Sequence, residues 1–165
     1  MLNRFKQCHE GVGTLVYLAS GQLKTCNCPE LVKQVKASWD FTMAIGVSGT
    51  VYHVTDTSCR AFPSIVARAV GTNTSYCAVV TVENEVLRCK PQGAIEQRIQ
   101  APSECGTIQD IACTEQIIVV VDGNNKLFSC PKEGGSGVLK PCAFSVPSGE
   151  RVLQLSGAQA YADLL

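Results

Sequence analysis

The segment VKASWDFTMAIGVSGTVYHV, residues 35–54, decides the fold, because its layout occurs in three other segments of the chain. An apolar residue opens the segment, and a short polar step follows. An apolar strand, a tight turn and a second apolar strand complete it. The strands are rich in Val, Ile, Thr, Tyr and Phe, which favour β-structure, and helical periodicity is nearly absent. The segment therefore predicts a β-hairpin.

Two further copies also have twenty residues and align with the first without a gap. They are VGTNTSYCAVVTVENEVLRC (70–89) and IACTEQIIVVVDGNNKLFSC (111–130). An earlier copy, GVGTLVYLASGQLKTC, ends at Cys26 in the same register, and RVLQLSGAQAYADLL begins a looser fifth copy. The sequence thus predicts a single domain over residues 1–165. Its repeat cores are expected at about residues 8–26, 35–54, 70–89 and 111–130, with a partial copy at 151–165.

The aligned turn position holds glycine or asparagine in all four full copies. The residues are Gly21, Gly49, Asn84 and Asn125. Both residue types tolerate the positive φ that a hairpin turn requires. Successive turn positions lie 28, 35 and 41 residues apart, so the connections between the cores carry the variation in length. We predict hairpin turns at these four positions.

Hairpin units repeated at intervals of roughly 30–50 residues are typical of propeller blades. A blade cannot cover its own apolar faces, so neighbouring blades must cover them. The predicted fold is therefore all-β, a β-propeller-like array of four hairpin copies and a partial fifth, with a sandwich of separate hairpins as the alternative. Because the last copy stops at Leu165 before its return strand, we expect an incomplete ring. An open strand edge would promote self-association or pairing with a partner's strand.

The composition limits the classes of function. Hydrophobic residues make up 45% of the chain, enough to bury a core, and 14 basic residues balance 14 acidic ones. Direct binding of nucleic acid or of an anionic membrane requires concentrated positive charge, which the sequence lacks. The polar start MLNRFKQCHE does not resemble a secretory signal, and no apolar stretch is long enough to span a membrane. We therefore expect a cytoplasmic or nuclear protein.

Ten cysteines are many for that location. In a secreted protein they would indicate disulfides. In a reducing compartment we expect reduced thiols that pack as small buried hydrophobes. The position five residues after the turn supports a packing role, since cysteine occupies it in three of four copies. These residues are Cys26, Val54, Cys89 and Cys130.

Some of the cysteines could form a zinc site. Cys26 and Cys28, with Cys8 and His9 upstream, have suitable donor atoms. However, one intervening residue is fewer than zinc sites usually have, and no second pair follows at zinc-finger spacing. We expect two thiols on opposite faces of a hairpin strand and no bound metal.

Nucleophilic catalysis is also disfavoured by the sequence. Only His9 and His53 could supply an imidazole base, and His53 lies in a predicted strand beside Tyr52. No Gly-x-Ser-x-Gly motif is present. The glycine-rich stretch 133–137 lacks both the Gly-Lys-Ser/Thr ending and the following helix of a phosphate-binding loop.

Two smaller patterns have simple structural interpretations. Asn73, Thr74 and Ser75 form a glycosylation acceptor sequence, which has no use without secretion. Glu83 and Glu85 alternate along a turn and strand, as on a solvated edge. We therefore predict that the chain is not an enzyme, with no catalytic, cofactor-binding or metal-binding residues and no cofactor.

The repeat core resembles the regulator of chromosome condensation repeat family. The best copy matches that family's pattern at Ala37-Ser38, Phe41-Thr42, Ala44-Ile45, Gly49 and Val51-Tyr52. The Trp-Gly pair that usually closes the family's strand is replaced by cysteine or valine, and the repeats are shorter. Tectonin-type repeats have a similar short period, but they are rich in tryptophan and this chain has only Trp39. They are the second choice.

The resemblance implies a propeller that serves as a docking platform for other proteins. Members of the family promote nucleotide release from small GTPases or belong to ubiquitin ligases and chromatin complexes. We therefore expect a non-catalytic protein-interaction scaffold with a protein partner, such as a small GTPase or a component of a chromatin or ubiquitin-ligase complex. The alternatives are a regulator or guanine nucleotide exchange factor for a small GTPase, and a carbohydrate-binding propeller.

Overall fold

A computed structural model describes residues 6–8, 13–19, 22–38, 42–55, 58–132, 137–157 and 162–164. Every regular element in these ranges is a β-strand, and none of them is a helix able to cross a membrane. The strands are β1 (Lys6–Cys8), β2 (Thr14–Ala19), β3 (Gln22–Asn27), β4 (Val32–Ala37), β5 (Thr42–Gly46), β6 (Thr50–Val54), β7 (Cys59–Thr72), β8 (Cys77–Thr81), β9 (Val86–Cys89), β10 (Ile95–Ile99), β11 (Ile108–Cys113), β12 (Ile117–Asp122), β13 (Leu127–Pro131), β14 (Lys140–Pro141), β15 (Leu155–Gly157) and β16 (Ala162–Leu164).

The strands form four antiparallel sheets of three, seven, four and two strands, in chain order. The seven-stranded sheet consists of two blades that share β7. The first part of β7 pairs with β6, and the second part pairs with β8. Blade 1 is therefore β1–β3, blade 2 is β4–β6 with the first part of β7, and blade 3 is the second part of β7 with β8–β10. Blade 4 is β11–β14 and blade 5 is β15–β16.

The first strands of blades 2 to 5 lie side by side around one axis. Strand β4 contacts β7, β7 contacts β11, and β11 contacts β15. This radial order of inner strands is that of a propeller. The predicted all-β, propeller-like array is thus confirmed. Within the described ranges no strand pairs blade 1 with blade 5, so these blades do not close a ring.

Three of the predicted turns are confirmed. The turn residues Gly49, Asn84 and Asn125 have φ values of 91°, 70° and 66°. In each turn, the backbone N–H of this residue donates to the carbonyl three residues earlier, at 3.0, 3.1 and 3.0 Å. The fourth predicted position, Gly21, lies outside the described residues, although β2 and β3 do form a hairpin.

The first hairpin differs from the others before its turn. Leu23 pairs with Leu18, whereas the aligned Val51 pairs with Ile45, so the loop of the first hairpin is one residue shorter. The repeat alignment therefore holds for the strand that follows the turn and shifts by one residue in the strand that precedes it.

The hydrophobic core is divided among the interfaces between blades. Between blades 3 and 4, for example, Tyr76 and Val80 pack in one cluster with Ile118 and Phe128. Three further clusters fill the junctions of blades 1 and 2, 2 and 3, and 4 and 5. Neighbouring blades thus cover each other's apolar faces, as the repeat predicted.

The cysteines only partly follow the prediction of reduced, buried thiols. Cys26, Cys89 and Cys130 are buried in the interface clusters, and burial raises the pKa of Cys130 to about 11. However, Cys28 and Cys59 form a disulfide, with their Cα atoms 5.4 Å apart. The expectation of reduced thiols is wrong for this pair. The fold places the residue after β3 beside the first residue of β7, so the disulfide links blade 1 to blade 2.

A buried polar network joins the inner strands at the axis. Lys36 on β4 forms an ion pair with Asp110 on β11 at 3.1 Å and donates to the Leu155 carbonyl on β15 at 2.6 Å. Asp110 also accepts the Leu155 N–H at 2.7 Å and the Gln34 side-chain amide at 3.3 Å. Gln34 in turn accepts the Val70 N–H on β7 at 3.0 Å. Four blades are thereby connected through one carboxylate.

Candidate interaction face

One end of the blades carries two kinds of loop. The turn between the second and third strands of a blade and the connection into the next blade lie at the same end, because alternate strands are antiparallel. We call this end the turn face. It comprises the turns at 46–50, 81–85 and 122–126 and the connections at 64–66, 100–107 and 142–154.

Each turn is fixed to the start of its own blade by the same backbone hydrogen bond. Val82 N–H donates to the Val66 carbonyl at 3.2 Å, and Gly123 N–H donates to the Thr107 carbonyl at 2.8 Å. In blade 2, Val47 N–H makes the matching bond at 2.8 Å. The accepting residue immediately precedes the inner strand of the blade. Each turn is therefore attached to the entry of its inner strand.

The side chain of Asn84 fixes its turn to the next blade as well. Its Oδ1 accepts the Ile108 N–H at 2.7 Å, and its Nδ2 donates to the Gly106 carbonyl at 3.1 Å. We call this pair of hydrogen bonds an amide clamp. Both partners lie at the entry to β11, so the clamp joins blade 3 to blade 4.

Asn125 makes the same clamp one blade later. Its Oδ1 accepts the Val152 N–H at 2.8 Å, and its Nδ2 donates to the Glu150 carbonyl at 3.0 Å. In blade 2 the equivalent residue, Gly49, has no side chain, and its own carbonyl accepts the Ala67 N–H at 2.8 Å. The sequence indicated the positive φ at these positions, but not the side-chain hydrogen bonds to the next blade. The signal for these hydrogen bonds was the presence of asparagine at a turn position where glycine would also be suitable.

A buried carboxylate supports the turn of blade 4. Asp122 Oδ1 accepts the backbone N–H groups of Asn124 and Lys126 at 2.9 and 2.8 Å. Its Oδ2 accepts the Gly106 N–H at 2.8 Å. This turn and the connection beside it are thus held by side-chain hydrogen bonds on both sides.

The turn of blade 2 uses a different acidic residue. Glu30 accepts hydrogen bonds from the Ser48 N–H at 2.8 Å, the Ser48 hydroxyl at 2.6 Å and the Tyr52 hydroxyl at 2.8 Å. Burial alone would raise the pKa of Glu30, but the hydrogen bonds from Ser48 and Tyr52 outweigh it and lower this pKa. The carboxylate is ionised at neutral pH.

Among the side chains that the structure describes, the large exposed apolar ones lie mainly on the turn face. Two others, Ile95 and Ile117, lie near the opposite end of the blades. Those on the turn face, with their exposed fractions, are Val47 (61%), Val66 (50%), Val82 (46%), Phe144 (56%) and Leu153 (83%). Because these side chains are exposed to solvent, they are available for contacts outside the chain.

The turn face also contains a cavity of about 510 Å³ between the turn of blade 4 and the connection that follows β14. Leu127 of β13 and Val146 contribute apolar surface to it, and the exposed Phe144 lines it from the connection. Three charged residues also line the cavity. They are Glu104, Lys126 and Glu150.

The zinc arrangement weighed from the sequence is not assembled in the described part of the chain. The expectation of opposite faces is wrong, because Cys26 and Cys28 are two residues apart and are buried in the same cluster. Cys28 is in the disulfide, so it cannot act as a thiolate ligand. The side chain of Cys8 and the whole of His9 lie outside the description. Across the described ranges, no three His, Cys, Asp or Glu residues could together hold a metal ion.

Of the two histidines considered for catalysis, His53 lies within the described ranges and His9 does not. His53 lies opposite Arg60 in the sheet, and burial, with a smaller effect of the Arg60 charge, lowers its pKa. His53 is therefore neutral at pH 7. Gly137 adopts a positive φ of 68°, and residues 133–136 of the glycine-rich stretch lie outside the described residues.

The acceptor residue of the glycosylation sequence is buried. Asn73 is 3% exposed, and its Oδ1 accepts the Thr74 hydroxyl at 3.1 Å. Glu83 and Glu85 have different environments. Glu83 is exposed, whereas Glu85 forms an ion pair with Arg98 at 2.6 Å.

No protein-family model matches the sequence, and no curated protein matches it significantly. Solved structures do match. Human WBSCR16 gives a TM-score of 0.65 at 11% identity over 93% of this chain and 56% of that one. A chain in the crystal structure of Kap60 bound to yeast RCC1 (Prp20) gives a TM-score of 0.65 at 10% identity over 94% of this chain and 50% of that one. The WD40 propeller domain of Doa1 gives 0.62 at 14% identity over 90% and 54%.

This chain spans about half the length of the solved chains that it matches. At 10–14% identity the similarity concerns the fold. It includes both an RCC1 structure and a WD40 domain, so it supports a propeller without selecting one repeat family. The chain therefore has a β-propeller-type fold, and its described blades form an open array.

Proposed function

We propose that this chain is a non-catalytic protein-interaction scaffold that binds a protein partner through its turn face. The observation that carries the proposal is the position of the exposed apolar side chains. Five of those in the described ranges lie on the turn face, four in turns or connections and Val66 within strand β7. Hydrogen bonds attach these segments to the blades. Exposed apolar groups on a fixed framework are typical of protein recognition surfaces.

Three valines give this face a continuous apolar part across blades 2 and 3. The Val66 carbonyl accepts the Val82 N–H, which places these two residues side by side. A side chain added at Gly49 would meet Val66 Cγ1, so Val66 also lies against the turn that contains Val47. The apolar core of an interface needs such neighbouring apolar side chains.

Protein partners are also consistent with what is described for similar structures. Prp20 was solved bound to Kap60, and Prp20p was described together with its binding to Gsp1p and histones. A regulator or guanine nucleotide exchange factor for a small GTPase is the alternative suggested by this likeness. Release of a fluorescent guanine nucleotide from small GTPases, accelerated by catalytic amounts of this chain, would favour that alternative.

The proposal is tested by comparing the two ends of the blades. Proteins that co-purify with the tagged chain are cross-linked and quantified by mass spectrometry. We expect the combined changes Val47→Ser, Val66→Ser and Val82→Ser to remove the principal partner. The control changes Ile95→Ser and Ile117→Ser, at the opposite end, should retain it. Equal recovery of that partner with both variants, or no partner with the unchanged protein, would overturn the proposal.

A further inference from the structure

We propose that the cavity on the turn face binds an extended segment of a partner protein in which an apolar side chain is next to a lysine or arginine. This inference rests on the proposed scaffold function and makes it more specific. It assigns the recognition of one peptide to the junction of blades 4 and 5, separately from the valines of blades 2 and 3.

The cavity is bounded by a connection that is held at both ends. At one end, Cys142 N–H donates to the Leu127 carbonyl of β13 at 2.9 Å. At the other, the Asn125 clamp holds Glu150 and Val152 at 3.0 and 2.8 Å. Pro141 and Pro147 restrict the backbone of the same connection. A site held in this way needs little ordering when a ligand binds, which favours affinity.

Its volume and apolar surface suit amino-acid side chains. The cavity has about 510 Å³, within the range of roughly 300–1,000 Å³ common for ligand sites. Phe144 is 56% exposed, while Leu127 is 7% exposed and packs with Val146 in the cluster between blades 4 and 5. An exposed aromatic ring in front of a buried apolar surface is a typical anchor point for an apolar side chain of a partner.

The charges of the site select the neighbouring residue of the ligand. Glu104 and Glu150 contribute two carboxylates, and Lys126 contributes one ammonium group. None of these three takes part in an ion pair with another residue in the described ranges. The excess negative charge favours a cationic residue and opposes a phosphate group. A basic peptide is therefore favoured over nucleic acid or an anionic lipid surface.

The test uses a panel of fluorescein-labelled nonapeptides with a central Leu, Ile or Phe. The residues beside the centre are Lys/Arg in one set, Ser in a second and Glu in a third. Fluorescence anisotropy with the full chain should show the tightest binding for the Lys/Arg set. Phe144→Ala should weaken it by about tenfold, as expected for the loss of an anchor residue.

Charge reversal tests the second part of the inference. Glu104→Lys and Glu150→Lys should each weaken binding of the Lys/Arg set by about fivefold and reduce its advantage over the Glu set. Glu83→Lys is the matched control, because it reverses an exposed charge on the turn of blade 3, and it should leave the affinity unchanged. Thermal melting of each variant confirms that the fold is retained.

Several outcomes would overturn the inference. They are the absence of binding to any set, a preference for the Glu set, and binding that Phe144→Ala leaves unchanged. Dimerisation that Phe144→Ala abolishes would also overturn it, because a second copy would then be the occupant. If the valine variant loses its partner while no peptide binds, the scaffold proposal stands and the cavity proposal fails.

Discussion

The turns of blades 2, 3 and 4 have the same backbone conformation but different residues at the position of positive φ. Blade 2 has Gly49, whereas blades 3 and 4 have Asn84 and Asn125. The difference follows the way in which each blade is joined to the next. Blade 2 continues into blade 3 through the single strand β7, and blades 3 and 4 are followed by loops. Glycine is therefore sufficient where a strand is continuous, and an asparagine clamp is found where a loop must be held.

The junction of blades 1 and 2 uses a third device, the disulfide between Cys28 and Cys59. The axis adds a fourth, the ion pair between Lys36 and Asp110, which connects blades that are not adjacent in the chain. The contribution of each device to stability can be measured separately. We expect the buried ion pair to contribute most and the exposed turn carboxylate least.

The largest effect should come from the axis. Asp110→Ala leaves the Lys36 ammonium buried without its carboxylate, and the free energy of unfolding should fall by about 3–5 kcal/mol. Urea denaturation followed by circular dichroism measures the change. Lys126→Met removes an exposed charge and should change stability by less than about 0.5 kcal/mol. Equal losses for the two variants would contradict a structural role for the ion pair.

Reduction of the disulfide should have the next largest effect. The disulfide closes a loop with a sequence separation of 31 residues, which corresponds to about 3–4 kcal/mol of stabilisation. The thermal transition should move to lower temperature when dithiothreitol is added. A variant with both Cys28→Ala and Cys59→Ala should be insensitive to the reductant. An unchanged transition of the original protein would restore the interpretation of these cysteines as packed thiols.

The amide clamps should contribute less than the disulfide. Asn84→Gly and Asn125→Gly preserve the positive φ but remove two hydrogen bonds each, at a cost of about 1–2 kcal/mol per variant. Hydrogen exchange should accelerate at the Ile108 amide in the first variant and at the Val152 amide in the second. The Ala67 amide, bound to the Gly49 carbonyl, is the internal control and should be unaffected. Uniform acceleration at all three amides would indicate global destabilisation instead of loss of a local clamp.

The smallest effect concerns Glu30, which is half-exposed. Its pKa is lowered in the folded chain, so its contribution is fully present above the pKa of the unfolded state and disappears as pH falls through the folded-state pKa. Glu30→Gln should reduce stability at pH 7 by well under 1 kcal/mol, because solvent screens the exposed carboxylate. The difference between the two proteins should vanish in strongly acidic solution. A difference that grows on acidification would contradict the assigned hydrogen bonds.

The hairpins could be predicted from the sequence because their signals are local. Asn84 and Asn125 tolerate the turn conformation wherever they occur, and alternating β-formers indicate the flanking strands. The repeat also predicted that blades cover one another, since a single hairpin cannot bury its apolar faces.

The candidate site was less predictable because its contacts join distant parts of the chain. Lys36 reaches Asp110, and Asn125 reaches Glu150 and Val152, only after the blades are arranged around the axis. The cavity beside Phe144 likewise depends on the path of an irregular connection. The disulfide was not predicted because reduced thiols were expected from a cytoplasmic or nuclear location.

The shared strand β7 has a consequence for how the sequence can change over evolutionary time. Side chains alternate between the two faces of a strand, so gaining or losing one residue reverses the orientation of everything beyond that point. In a loop such as 100–107 an inserted residue is absorbed locally. In β7 an insertion between Phe62 and Val70 would turn one of them away from their shared cluster, and a new bulge would be needed to restore the packing. The pairing of β7 already has two register shifts, between Thr50 and Tyr52 of its partner strand and between Ala67 and Ala69. Changes of length are therefore expected to be rarer in β7 than in the loops that follow blades 3 and 4.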